Sequence, residues 1–190
     1  MDRAYRRTVS TTRDRALRAA VDEVGEHGIR SLTHARVDAR AGLPKGSTSN
    51  WFRTRAALVA GLIAFIAESE RTDGTSGTST TITTEAQLVD RLCELIHVLT
   101  TTQAARTRVR FALFLEAAHD RETLAPLLQQ RQAFVEWATD LLRDIGAHHP
   151  DDAARTLLAC GNGLVFHRLT VDPNAEIRPI IQRTVRACMQ

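Results

Sequence analysis

Apolar residues recur at intervals of three and four along nearly the whole chain, and only an α-helix turns such a series onto one face. Alternating runs of β-branched residues are scarce, and no hairpin dipeptide separates two strand-like stretches. The chain is therefore expected to be all-α. Its 190 residues suffice for one ordinary domain plus a smaller second one, and no internal repeat divides them.

Local punctuation places the first helices. Leu17, Val21 and Val24 stand at i, i+4 and i+7 with Ala20 beside them, which predicts a helix over 12–27 closed by Gly28 and Ile29. Thr33 is positioned to cap a short second helix over 34–41 that turns Val37 and Ala41 inward and ends at Gly42. After the tight Gly42-Leu43-Pro44 turn comes a third helix over 45–52, with Pro44 tolerated at its first turn. Thr54 can cap a longer fourth helix carrying Leu58, Leu62, Phe65 and Ile66. The polar, Gly-containing stretch 72–84 reads as a mobile loop. Beyond it, helical patterns cover 85–101, 104–119, 121–145, 151–171 and 175–189.

Charge is distributed unevenly. Through Arg55 the chain holds twelve basic residues against six acidic ones, whereas the remainder holds thirteen against sixteen. A net +6 beside a net −3 points to a polyanion partner at the N-terminal end, the alternative being a solvated basic surface. Cys93, Cys160 and Cys188 are widely spaced and odd in number, which fits small buried apolar residues better than a disulfide framework or paired zinc ligands. No run approaches the roughly 20 apolar residues of a membrane span, and the Arg- and Thr-rich N-terminus lacks a secretory signal. A soluble, cytoplasmic protein is expected.

Two short helices joined by a Gly turn, behind a supporting helix and amid cations, form a helix-turn-helix plan. In the segment Lys45-Gly46-Ser47-Thr48-Ser49-Asn50-Trp51-Phe52, the i, i+4 pair Thr48 and Phe52 supplies an inward face. Lys45, Ser47, Ser49, Asn50 and Trp51 are left to meet the major groove. From Thr33 through Leu58 the sequence resembles the tetracycline-repressor-type (TetR) family of regulators. The family pattern runs Ala, three residues on Ala-Gly, then an apolar residue, Ser, any residue, Gly, two residues, Tyr, any residue, an aromatic or His, Phe, and shortly Lys with Leu. Ala41-Gly42-Leu43, Gly46, Trp51-Phe52, Arg55 and Leu58 stand in matching places, while Pro44 replaces the usual capping Ser and Ser49 the usual phosphate-contacting Tyr.

The resemblance implies an N-terminal three-helix helix-turn-helix domain with a basic arm, residues 1–53, and a larger helical effector-binding and dimerisation domain, residues 54–190. The expected DNA-binding set is Thr33, His34, Lys45, Gly46, Ser47, Ser49, Asn50, Trp51 and Arg55. Lys45, the only lysine, can reach guanine O6 or N7, or else a phosphate, and Asn50 can pair with an adenine edge or meet only water. Trp51 either packs on the supporting helix or donates its indole N–H to a phosphate, the side that the resemblance favours. Thr33 and His34 open a helix N-terminus suited to a phosphate oxygen. Arg55 would clamp another phosphate, because as a cation at a helix start it opposes the helix dipole. Arg3, Arg6 and Arg7 could follow the minor groove.

In the larger half, Leu157, Cys160, Gly161 and Leu164 form one stripe, and Ile177, Ile180, Ile181, Val185 and Cys188 another. The resemblance implies a four-helix interface of a homodimer made from these two helices, the alternative being internal core helices. Residues 109–118 are apolar around most of their circumference and predict a buried central helix. Within it, Glu116 either bridges to Arg108 or Arg110 or marks the polar spot of an effector pocket with Phe111, Phe114 and Trp137. Glu94 with His97 and Glu116 with His119 have the spacing of di-iron bundles, but such a site also needs a Glu from each of two further helices and the Leu88, Leu92, Leu95 and Leu99 stripe turns His97 outward, so no metal and no cofactor are expected. No phosphate loop and no nucleophile–base pair appears, so the chain is not expected to be an enzyme. The expectation is a DNA-binding repressor that grips a palindromic operator as a dimer and is released by a small molecule. A helical interaction or sensing dimer without DNA reading is the alternative.

Overall fold

The computed structural model describes residues 11–76 and 82–190. The basic arm with Arg3, Arg6 and Arg7, and residues 77–81 of the expected loop, lie outside the described residues. Among those described, all regular structure is helical: α1 spans Thr12–His27, α2 His34–Ala41, α3 Ser47–Trp51, α4 Arg55–Ser76, α5 Glu85–Thr100, α6 Ala104–Glu116, α7 Arg121–Asp144, α8 Pro150–Thr170 and α9 Arg178–Met189. A single 3-10 turn, Ile29–Ser31, joins α1 to α2.

Threonines set four of the starts. Thr11 forms a reciprocal capping box with Asp14, and the hydroxyls of Thr33, Thr54 and Thr84 accept from the amides of Arg36, Ala57 and Gln87 at 3.1 to 3.4 Å. Gly42 closes α2 at φ 61°, a left-handed conformation that costs glycine little.

Several ends differ from the sequence expectation: α3 spans only Ser47–Trp51, α6 stops at Glu116, and α4 and α9 also depart from it. Helix α4 continues past Thr72: Ser69 and Thr72 satisfy their hydroxyls on the carbonyls of Phe65 and Glu68, and Arg71 supports the helix by pairing with Glu68 at 2.6 Å. Helix α9 starts at Arg178 rather than at 175. Pro179 belongs in the first turn, and the carbonyl of Ala175 instead accepts two bonds from the Arg168 guanidinium at 2.7 and 3.0 Å.

Two apolar cores result. The first joins Leu17, Val24, Leu32, Val37 and Phe52 of the first three helices and their links to Leu58, Leu62 and Ile66 of α4, Val109 and Leu113 of α6, and Leu127 of α7. The second joins Leu88 and Ile96 of α5 to Leu142 of α7, Leu157 and Leu164 of α8, and Ile181 and Val185 of α9. Helix α6 lies between them, sending Ala112 and Phe114 to the first and Phe111 to the second. That explains its apolar circumference, although it is not buried all round: Leu115 is 78% exposed. The first core runs continuously across residue 53. Gly25 of α1 lies so close to α6 that an added Cβ would fall 2.9 Å from the Ala105 Cβ.

The expected dimer stripe requires correction. Leu157, Leu164, Ile177, Ile181 and Val185 are buried within the single subunit and Cys160 is half-buried beside them, whereas a Cβ on Gly161 would meet nothing within 4 Å. An amphipathic period shows that a face is covered, not which molecule covers it. The outward residues of α8 and α9 are instead Ala159, Gly163, Phe166, Ile180 and Ala187, with Phe166 51% and Ile180 42% exposed.

Candidate nucleic-acid interface

Helix α3 is only five residues long, so its own backbone bonds cannot hold it. A buried carboxylate does so. Asp38 on α2 accepts from the Gly46 amide at 2.7 Å through one oxygen, and from the Thr48 amide at 2.8 Å and hydroxyl at 2.5 Å through the other. Burial pushes this carboxyl up, but the bonds from Thr48 and Gly46 and the charge of nearby His34 outweigh it and hold it below the ordinary carboxylate range. Asp38 thus caps α3 from another helix, the task that the serine of the family pattern performs locally and Pro44 cannot. It stands where that pattern has Ala, and sequence reasoning missed it. The signal was present: Asp38 is the sole acidic residue between His27 and Ala67, on the inward side of α2, facing a buried threonine that needs a partner.

The other end of α3 is fixed by His34, whose Nε2 lies 2.5 Å from the Phe52 carbonyl oxygen. The His34 side chain therefore faces the protein rather than a phosphate. The Phe52 ring sits over Gly61 of α4, where an added Cβ would collide with it, and under the Arg13 guanidinium, 5.6 Å from the ring centre.

With both ends tied, the expected DNA-facing residues sort into two groups. The Ser47 and Ser49 hydroxyls donate to the carbonyls of Pro44 and Gly46 at 2.7 and 2.8 Å and are half-buried. Gly46 takes φ 93° at the start of the helix and serves the turn. Lys45, Asn50 and Trp51 project outward, and Trp51 is 55% exposed rather than packed on the supporting helix. Thr33 is exposed and its hydroxyl is used in capping α2.

Several N-terminal arginines are held by contacts within the protein. Glu23, 4% exposed, accepts from Arg36 at 2.6 Å and Arg40 at 3.1 Å, and Arg40 also pairs with Glu26. Burial raises the Glu23 carboxyl, but these arginines and His27 bring it below its ordinary range. Arg15 donates to the Ala41 carbonyl at the end of α2 at 2.9 Å.

Arg55, expected at a phosphate, points elsewhere. Its Nη1 pairs with Glu116 at 2.5 Å and its Nη2 donates to the Ile29 carbonyl at 3.3 Å. Glu116 therefore bridges neither Arg108 nor Arg110, which pairs with Glu70 at 3.2 Å.

The four residues expected to form an effector pocket go separate ways. Phe111 meets Phe166 edge-on with ring centres 6.1 Å apart, Phe114 lies under Arg110, and Trp137 stacks obliquely on Phe134. None lines either of two surface grooves. One, about 650 Å³, follows Arg131, Val135, Thr139 and Arg143 of α7 to Asp151 and Arg155 of α8. The other, about 300 Å³, lies between Arg18 of α1, Phe65 and Glu68 of α4, and Arg106 of α6. Of the four, Phe114 packs against the first core and Phe111 against the second.

Among the described residues, no three His, Cys, Asp or Glu side chains gather as a metal would require, and no helix is long and apolar enough to cross a membrane. The three cysteines are unpaired and half-buried, and burial pushes the Cys93 and Cys188 thiols up, away from the thiolate that reacts.

Similarity to known proteins agrees with this architecture. The tetracyclin repressor-like C-terminal domain matches residues 83–188. No curated protein matches the sequence. A transcriptional regulator from Rhodococcus sp. Rha1 superposes with a TM-score of 0.76 at 18% identity, over 95% of this chain and 97% of its own. The multidrug binding protein EbrR complexed with ethidium gives 0.68 at 22% identity over 93% and 97%. NalD, the secondary repressor of the MexAB-OprM multidrug efflux pump in Pseudomonas aeruginosa, gives 0.65 at 22% identity over 94% and 98%. With a family domain covering more than half of its length behind a helix-turn-helix, this chain belongs to the tetracycline-repressor-type family of DNA-binding transcriptional regulators, which are not enzymes.

Proposed function

We propose that the chain is a cytoplasmic repressor. Two copies would set their α3 helices into major-groove half-sites of a palindromic operator, one helical turn or about 34 Å apart. The observation that carries this reading is the outward group Lys45, Asn50 and Trp51 on a helix whose other face is fixed by Asp38 and His34. Lys45 reaches guanine, Asn50 pairs with adenine, and Trp51 covers the sugar–phosphate edge. The departure at Pro44 leaves this geometry supported, because Asp38 supplies the cap from outside the helix.

Dimerisation through α8 and α9 is supported by what the subunit leaves uncovered. Gly161 and Gly163 cost the helix about 1 kcal/mol each relative to alanine, yet a Cβ on either would meet nothing within 4 Å inside the subunit. A partner helix approaching across Ala159, Gly163 and Phe166 gives those glycines a purpose. Phe166→Glu is expected to convert the dimer to a monomer in sedimentation experiments; an unchanged dimer would place the interface elsewhere.

Release by a small molecule is proposed for the larger helical domain; among structural relatives, EbrR is a multidrug binding protein complexed with ethidium and NalD is named a repressor. An effector that prefers one dimer geometry shifts the population away from the one that matches the operator. The test of the whole reading is selection from random duplexes by the purified protein without added ligand. A palindromic winner, bound far more tightly than random DNA, is the expected result, and uniform salt-sensitive binding would contradict it.

A further inference from the structure

We infer that Glu116 holds Arg55 in reserve, so that a DNA phosphate must displace a carboxylate of the larger helical domain to engage this arginine. The inference rests on the DNA-reading proposal above and adds the residue by which the end of α6 sets the affinity.

The geometry is specific. Arg55 is the first residue of α4, directly after the link from α3, where its charge opposes the helix dipole and gains nothing from its own helix. Both terminal nitrogens of its guanidinium are turned to the protein: Nη1 to the Glu116 carboxylate at 2.5 Å, Nη2 to the Ile29 carbonyl at 3.3 Å. Ile29 opens the turn before α2, and Glu116 is the last residue of α6. One side chain therefore ties the helix-turn-helix, the start of α4 and the end of α6 together. A phosphate oxygen and the Glu116 carboxylate oxygen make the same demand on Nη1, a charge-assisted bond in the guanidinium plane, so the two compete for that nitrogen.

The pair can break. Arg55 and Glu116 keep 46% and 30% of their side-chain surface exposed, so the bond is screened and worth little to stability, and breaking it leaves neither charge buried. Movement of α6 reaches the same element at a second place, where Gly25 of α1 meets Ala105 without room for a Cβ. A shift of α6 that tightens Glu116 on Arg55 lowers DNA affinity for every sequence equally, and one that draws Glu116 away raises it.

The test measures binding of the selected duplex and of random duplex across a salt series for wild type, Glu116→Gln, Arg55→Ala and the double variant, with thermal unfolding as the check that each is folded. Glu116→Gln should bind both duplexes on the order of twofold to fivefold more tightly, the range set by a half-exposed ion pair. The gain should vanish in the Arg55→Ala background, because a merely through-space effect of one lost negative charge would persist there. Unchanged or weaker binding by Glu116→Gln, or the same gain in both backgrounds, overturns the inference while leaving DNA reading intact. Failure of the wild type to prefer any duplex removes DNA reading itself and the inference with it.

Discussion

The two ends of the molecule use polar residues in opposite ways. Of the six polar side chains buried in the described residues, Glu23, Ser31, Asp38 and Thr48 lie in the first three helices and their links, and only Thr107 and Thr139 lie beyond. Around α3 the geometry is set by directional bonds from a carboxylate and an imidazole. Around α8 and α9 it is set by leucine, isoleucine and valine, which attract without fixing an angle. A reading head must present a few groups in one register, and hydrogen bonds specify register. A domain proposed to change shape on binding a ligand is better held by contacts that can slide.

The comparison breaks first at Asp38. Asp38→Ala should leave two amides and a hydroxyl in the core without acceptors, at about 1 to 3 kcal/mol each before relaxation. We expect stability to fall by roughly 3 kcal/mol in urea unfolding and preference for the selected duplex to be lost even at temperatures where the variant is folded. Retained preference would show that α3 holds its register without the buried carboxylate.

Acid should dissolve the polar end before the apolar one. The carboxyls of Asp38 and Glu23 lie below their ordinary range, so the folded state binds these protons less readily than the unfolded chain. Their contribution is therefore complete above the unfolded values, near pH 4 to 4.5, and fades as the pH falls through the depressed folded values. Unfolding measured from pH 6 to 3 should show a decline that is shallower in Asp38→Asn and Glu23→Gln than in the wild type. An identical slope in all three would assign acid sensitivity to other groups.

The smallest effect belongs to the apolar end. Ile181→Leu conserves volume in the second core and should cost less than about 1.5 kcal/mol, with DNA preference unchanged. A larger loss, or altered preference, would mean that this core is as tightly specified as α3.

The same contrast explains what was legible in the sequence. The bounds of α1 and α2 follow from Thr33, Gly28 and Gly42, because a cap or a left-handed turn is decided by its neighbours. In the overrun of α4 polar hydroxyls are satisfied on the helix's own carbonyls, a choice composition does not reveal. The stripes on α8 and α9 announced burial but not the molecule that provides it, so residues read as an interface between subunits pack within one. Asp38 and the Arg55–Glu116 pair join residues 8 to 61 positions apart, and no local pattern contains them. The outward set on α3 was legible in part: Lys45, Asn50 and Trp51 project, whereas the Ser47, Ser49 and His34 side chains turn to carbonyl oxygens that only the folded turn supplies.

The central claim is that the outer face of α3 reads bases. It is tested most directly by binding of Lys45→Ala and Asn50→Ala to the selected duplex and to random DNA at one salt concentration. The account predicts a loss of about 1 to 3 kcal/mol for each variant on the selected duplex and little change on random DNA. Equal losses on both would show that these residues touch only the backbone and that sequence is read elsewhere.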